Sequence, residues 1–223
     1  YRNLKGLVRQ RNHENFIQLA RLFVNIHDGM DLILEANFDQ IDYDIAQTSG
    51  ANTGIKLDSD VKSFLIGVTW EGSGDWNGTI KIGAESKDFD DRTLDDSQRE
   101  VWDAEIEWSA LANTDVVFSS KRGSRETDNV GNFIEFKRYE VDLALAISER
   151  LGIDVGLGYL TEKFDGSVPA REDDIFEADV SVNYAFRNFV TWHLGYRFST
   201  RDGSLPQTNF DRSQLFMRAE LGL

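Results

Sequence analysis

Acidic side chains are the reactive groups this sequence supplies most freely. It carries 39 aspartates and glutamates against 24 lysines and arginines, a net charge of −15, with three histidines and no cysteine. Glu105 and Glu107 are by type a candidate acid–base pair. Alternate residues of one strand lie side by side on one wall, however, and cannot flank a bond from opposite sides as a glycosidase requires. The run Asp88-Phe89-Asp90-Asp91-Arg92-Thr93-Leu94-Asp95-Asp96 lacks the glycine and terminal glutamate of an EF-hand loop, so solvation fits it better than a calcium site. His13, His27 and His193 fall on a loop, a turn and a strand. No Gly-x-Ser-x-Gly elbow, HExxH helix or phosphate loop occurs. The expectation is therefore no catalytic residue, no cofactor and no metal. Thiolate ligands and disulfides are excluded outright, and the negative charge argues against nucleic acid or a bare anionic surface as partner.

The elements that hold these side chains are strands. Apolar residues alternate with polar ones at Phe16–Ile26, Met30–Phe38, Phe64–Trp70, Trp76–Ala84, Trp102–Trp108, Val116–Phe118, Tyr139–Ile147, Ile153–Tyr159, Phe176–Phe186, Trp192–Phe198 and Leu215–Leu223. A weaker segment over Leu4–Gln10 brings the expected total to about 12, all within one β-domain spanning 1–223. No apolar run is long enough for a transmembrane helix. The chain begins at Tyr1 without a methionine or signal peptide, which predicts processing or a start inside a longer protein.

Loop lengths alternate strictly. His27-Asp28-Gly29, Gly72-Ser73-Gly74, Ala110–Asn113, Ser148–Gly152 and Arg187–Phe189 are tight. Asp44–Asp60, Asp88–Arg99, Arg122–Gly131, Asp165–Asp173 and Arg201–Asp211 are long and polar. Short turns at one end and long loops at the other predict a transmembrane, antiparallel up-and-down β-barrel of the bacterial outer membrane. The tight turns and C-terminus are then periplasmic and the long loops extracellular. A soluble sandwich would have shorter strands and no reason to sort its loops by side. The closing strand alternates to its last residue, Leu223, resembling the C-terminal signal for barrel insertion.

On that reading the polar sides of the strands face inward. Arg21, Asp31, Glu35, Asp39, Lys81, Glu85, Asp103, Glu105, Glu107, Arg138, Glu140, Asp142, Glu162, Asp179, His193 and Arg197 are expected to line the lumen. A lining so rich in carboxylates favours cations and neutral solutes over free anions. Hairpin geometry predicts three cross-strand pairs. Gly29 in the left-handed conformation sets Arg21 opposite Glu35, pairing Phe186 with Val190 sets Asp179 opposite Arg197, and pairing Ile147 with Ile153 sets Arg138 opposite Glu162. Bracing of the barrel is their simplest role. His193 faces Asn183, with Ser181 and Ser199 nearby. A membrane phospholipase would want its serine and histidine on the lipid side, so this cluster sits on the wrong face. Trp70, Trp76, Trp108, Tyr184 and Trp192 cluster beside tight turns and predict an interfacial girdle.

From Lys87 onward the chain resembles the β-barrel porin family associated with exopolysaccharide systems. The likeness rests on Lys87-Asp88-Phe89-Asp90-Asp91-Arg92, the Trp102–Trp108 strand, Arg125-Glu126-Thr127 before Gly131, and Tyr196-Arg197-Phe198 with Phe210-Asp211-Arg212 before the last strand. It implies a role in moving secreted polysaccharide across the outer membrane, beside a periplasmic export protein, and contact with outer-membrane lipid and lipopolysaccharide. It supplies no catalytic residue. Members tend to be longer, which implies further strands upstream of Tyr1. A general diffusion porin and a plugged structural barrel are the other classes the sequence leaves open, as it does the oligomeric state.

Overall fold

The computed structural model describes residues 13–47, 52–72, 75–127, 130–187 and 189–221. Eleven strands form: β1 (His13–His27), β2 (Met30–Tyr43), β3 (Ser59–Glu71), β4 (Trp76–Phe89), β5 (Ser97–Leu111), β6 (Thr114–Arg125), β7 (Phe133–Ser148), β8 (Leu151–Asp165), β9 (Arg171–Arg187), β10 (Val190–Gly203) and β11 (Phe210–Leu221). They pair in chain order into one antiparallel, up-and-down sheet. All eleven clearly patterned segments are thus strands. The weaker Leu4–Gln10 segment, Ser73-Gly74 and the terminal Leu223 lie outside the described residues. Within those residues no pairing joins β1 to β11, and both edge strands are exposed along their length.

Strands run from 12 to 17 residues, longer than the sequence pattern indicates. The extra length lies at the long-loop end, where β4 continues to Phe89 and β10 to Gly203. Backbone groups there satisfy one another across the hairpins.

Two of the three predicted pairings hold in register. Gly29 adopts a φ of 73°, and Arg21 lies opposite Glu35. Arg197 lies opposite Asp179. In both hairpins a bulge beside the turn absorbs the odd residue. The third pairing is corrected by two residues: Leu145, not Ile147, faces Ile153, so Arg138 faces Leu160 and Glu162 faces Phe136. The cause is a tighter turn, in which the Ser148 hydroxyl accepts hydrogen bonds from the backbone N–H of Arg150 (3.3 Å) and Leu151 (3.1 Å).

Alternation sorts the faces as expected. On β2, Leu34 is 41% exposed and its neighbour Ile33 only 4%. The inner face is nevertheless not wholly polar. At the long-loop end Ile41, Tyr43, Leu57 and Val61 form a buried apolar cluster, with Leu94 packed on it from the β4–β5 loop.

One inward glycine is required by packing. Gly67 lies opposite Lys81. A Cβ at this position would stand 2.7 Å from Lys81 Cγ and closer still to the Ile80 carbonyl oxygen. Gly67→Ala is therefore expected to cost about 1–3 kcal/mol through enforced backbone movement. A fall in the temperature at which the folded barrel band disappears on semi-native gels would report it.

Candidate functional site

The inner wall divides into three tiers. In the middle tier, charges of alternating sign run across the sheet. Arg21 Nε donates to Glu35 Oε2 at 2.7 Å, and Lys81 Nζ reaches the same oxygen at 3.2 Å. Lys81 also lies 3.4 Å from Asp103, which lies 3.6 Å from Lys121. Lys81 crosses from β4 to β2 over Gly67, the one position on β3 with no side chain in its path. Its flanking carboxylates compensate an ammonium that is 8% exposed. Beneath this ladder a cavity of about 260 Å³ is lined by residues of β1 through β7, Arg21, Glu35, Asp103 and Lys121 among them.

The tier at the long-loop end is crossed by loop contacts. Glu126, just past β6, takes a hydrogen bond from Tyr43 Oη of β2 (2.5 Å) and an ion pair from the fully buried Lys87 of β4. Asn52 in the β2–β3 loop donates to the Gly131 carbonyl (3.2 Å) and to Asn132 Oδ1 (2.8 Å). Two loops from distant parts of the sheet thus meet over the inner wall. Below them Arg99 lies 3.1 Å from Glu85 and 3.8 Å from Glu135, with its guanidinium 4.3 Å from the centre of the buried Phe133 ring. A second cluster sits over β8–β10. Glu162 is 1% exposed and pairs with Arg125 and with Arg201 (3.2 Å). Asp173, fully buried, pairs with Arg171 (2.5 Å) and Arg201 (3.6 Å). Glu162 was assigned to Arg138 from sequence; Arg138 instead points at Glu140, 3.4 Å away on its own strand.

Toward the turn end Glu105 and Glu107 make no ion pair among the described residues, nor at mid-wall do Asp142 and Asp179; Arg197, though opposite Asp179, does not reach it. Asp142 and Asp179 crowd Gly156 from either side: a Cβ there would lie 3.0 Å and 2.9 Å from their Oδ1 atoms. Asp154 is held by Ser181 (3.1 Å) and Asn183. His193 contacts Asn183 (2.5 Å), as its register predicts, and lies 3.4 Å from Glu220. Asp31 accepts a hydrogen bond from Asn25 (3.0 Å), and Asp39, toward the long-loop end of β2, accepts one from Asn15 (3.2 Å).

The acidic β4–β5 loop binds itself. Thr93 donates its hydroxyl (2.6 Å) and its N–H (2.9 Å) to Asp91 Oδ1, holding that carboxyl below its usual range. Asp96 accepts from Phe89 N–H (2.9 Å), and Asp88 pairs with Lys62 (3.0 Å).

Aromatic residues mark both ends of the outer face. At the turn end, Trp76 and Trp108 are opposite each other and stacked at 4.9 Å, and Trp192 lies opposite Tyr184. Trp70 adjoins them, against Gly78. A second row, which the sequence pattern did not single out, runs Tyr139–Tyr159–Phe176 across β7–β9. Trp102 is beside it, donating through Nε1 to Ser120 at 2.8 Å. Tyr184 and Phe176 are separated along β9 by about 26 Å of strand, or about 20 Å of height at a barrel's tilt, close to the apolar band of an outer-membrane wall. Single-tryptophan variants retaining Trp76, Trp192 or Trp102 are expected to be quenched most by lipids brominated near the headgroup. Strongest quenching from mid-chain bromines would refute the two belts.

Comparison with known proteins agrees with this geometry. A family model described as "Putative beta-barrel porin 2" matches residues 4–221. Among solved structures, the FrpB iron transporter from Neisseria meningitidis (F3-3 variant) superposes with a TM-score of 0.59 at 9% identity, over 88% of this chain and 37% of that one. The chain thus spans 37% of the transporter, and the likeness is one of fold. OmpTdeltaL8, a loop L8 deletion mutant of an outer membrane protein of Vibrio cholerae, aligns over 93% of this chain and 95% of its own at 9% identity, with a TM-score of 0.46. No curated protein matches the sequence.

Proposed function

The chain belongs to the putative beta-barrel porin 2 family, and from that premise we propose that it forms a gated, non-enzymatic outer-membrane passage for a polyhydroxylated polymer, a polysaccharide leaving the cell. The supporting observation is the charge gradient along the inner wall. Glu105 and Glu107, toward the turn end, and Asp142 and Asp179, at mid-wall, make no ion pair among the described residues, whereas the long-loop end is neutralised pair by pair and crossed by loops. With the turns in the periplasm and the loops outside, a solute entering from within meets free carboxylates first. Such groups accept hydrogen bonds from sugar hydroxyls and repel free anions. A neutral or cationic polymer suits that vestibule; an acidic one needs divalent ions beside it.

The loop-crossed outer end favours a second reading, a barrel plugged for structural or interaction purposes. One experiment separates the two, and general uptake as well. Deletion in the source bacterium, with cell-bound and secreted polysaccharide quantified, is expected to trap polymer in the cell. Unchanged export with lost uptake of small hydrophilic solutes would assign a diffusion porin. Unchanged export and uptake would assign the plugged barrel.

A further inference from the structure

Lys81, Asp103 and Lys121 of the charge ladder form one bank of a trough in the inner wall. Its floor is the next inward rung toward the long loops. There Leu65 lies opposite Gly83 and Gly83 opposite Val101, so the floor is apolar and carries only two side chains, with Glu35 closing it on the β2 side. The far bank is the rung beyond, Asn37–Ser63–Glu85, paired in that order across β2, β3 and β4. Toward β7, Phe136 lies opposite Gly123, with its Cζ 3.5 Å from where a side chain on that glycine would begin. The ring thus leans over bare backbone. The cavity of about 260 Å³ occupies this trough, and Asn37, Ser63, Leu65, Glu85, Val101 and Phe136 all line it.

The far bank holds hydrogen-bonding capacity that the protein itself does not use. Ser63 is only 7% exposed, yet its hydroxyl makes no hydrogen bond among the described residues, and neither does the amide of Asn37 opposite it. The Glu85 side chain is 12% exposed. Arg99 (3.1 Å) and Ser124 (2.5 Å) both donate to its Oε1, which leaves Oε2 with no donor among those residues. The ladder bank, by contrast, is paired charge to charge. Buried polar groups rarely go without a partner, and here three of them line a single cavity.

Donors and acceptors beside an apolar floor match one kind of solute. A sugar ring has a C–H face that gains from apolar and aromatic contact, and a rim of hydroxyls that both donate and accept. The Asn37 amide and the Ser63 hydroxyl also do both, and the free Glu85 oxygen accepts. We propose that the trough is a subsite for one neutral hexopyranose unit. Its C–H face rests on Leu65, Val101 and Phe136, and its hydroxyls bond Asn37, Ser63 and Glu85. The cavity is smaller than the roughly 300–1,000 Å³ of drug-sized sites, so it takes a single ring rather than a length of chain. A sugar carrying a carboxylate in place of its hydroxymethyl group would bring like charges together at Glu85 and bind poorly. The inference rests on the reading of the inner wall as a passage for sugars.

Saturation-transfer difference NMR on the full-length protein, in a detergent without sugar, tests it. The probes are the methyl glycosides of glucose, galactose and mannose and the C6 carboxylates of the same three. At least one neutral glycoside is expected to bind, and its carboxylate roughly tenfold more weakly. N37A/S63A, which removes two hydrogen bonds and leaves the apolar floor intact, is expected to weaken the neutral glycoside roughly tenfold. Binding of no neutral glycoside, or equal binding by wild type and variant, overturns the subsite. Equal binding of a sugar and its carboxylate overturns the assignment of Glu85 and with it the preference for neutral rings; that comparison uses wild type alone and holds even if the variant folds poorly. The deletion phenotype is read separately. A bound neutral glycoside with unchanged polysaccharide export overturns the export reading and leaves the subsite standing, whereas trapped polymer with no glycoside bound overturns the subsite alone.

Discussion

Glu126→Ala is expected to raise the ion conductance of the full-length protein in planar bilayers several-fold. Glu126 is the point at which the β6–β7 loop is tied across the inner wall, to Tyr43 on β2 and Lys87 on β4. Removing the carboxylate leaves the fully buried Lys87 without a counter-charge. A buried, unpaired ammonium costs several kilocalories per mole and must reach water or lose its proton. Either outcome breaks the contact that ties the loop to β2 and β4, leaving its hydrogen bonds to Asn52 and those of Asn132 to Asp165. K87M/E126A, with no buried charge left, separates the loss of the tie from the stress of an orphaned ion. Conductance unchanged in both variants would show that this loop does not close the passage.

The largest loss of stability is expected from Glu162→Ala. Glu162 is almost fully buried and bridges Arg125 and Arg201, and Arg201 also reaches the buried Asp173. Breaking a buried pair by removing one partner costs about 3–5 kcal/mol. The lower end applies, because the Arg125 side chain is 49% exposed and recovers hydration. An expected loss of about 3 kcal/mol is readable from urea unfolding out of lipid vesicles. Arg138→Ala, whose exposed pair with Glu140 lies on a single strand, is expected to cost less than about 1 kcal/mol. Similar losses for the two variants would show that the Glu162 cluster carries no special load.

What the sequence makes legible here is whatever two neighbouring strands determine between them. Arg21–Glu35 follows from the left-handed Gly29 and two alternating runs, and the structure has it at 2.7 Å. The Arg138 register was lost to a serine: the Ser148 hydroxyl tightens a turn whose length alternation alone does not fix. Contacts that skip a strand were out of reach. Lys81 meets Glu35 only because Gly67 lies between them, and Lys121 joins that ladder only because Asp103 is shared. Burial of Leu57, Lys87 and Phe133 depends on loops folding back over the wall, which no pairwise pattern records. The Tyr139–Tyr159–Phe176 row needed three registers at once to be seen as a row.

The direction of travel of the two outermost strands has a mechanical consequence. β1 ends at the tight Asp28–Gly29 turn, so it descends from the loop end to the turn end, and β11, entered from the Ser204–Asn209 connection, descends likewise. Two descending strands cannot be antiparallel neighbours. Rolling this wall into a tube therefore requires either a seam of parallel pairing or an odd number of additional strands between them, which gives the even totals of bacterial barrels. Parallel pairing is slightly weaker per residue than antiparallel, so a direct β1–β11 seam would be the line of least resistance. Under lateral load such a tube would unzip there first, and the lumen would open sideways into the bilayer before any other pair of strands came apart.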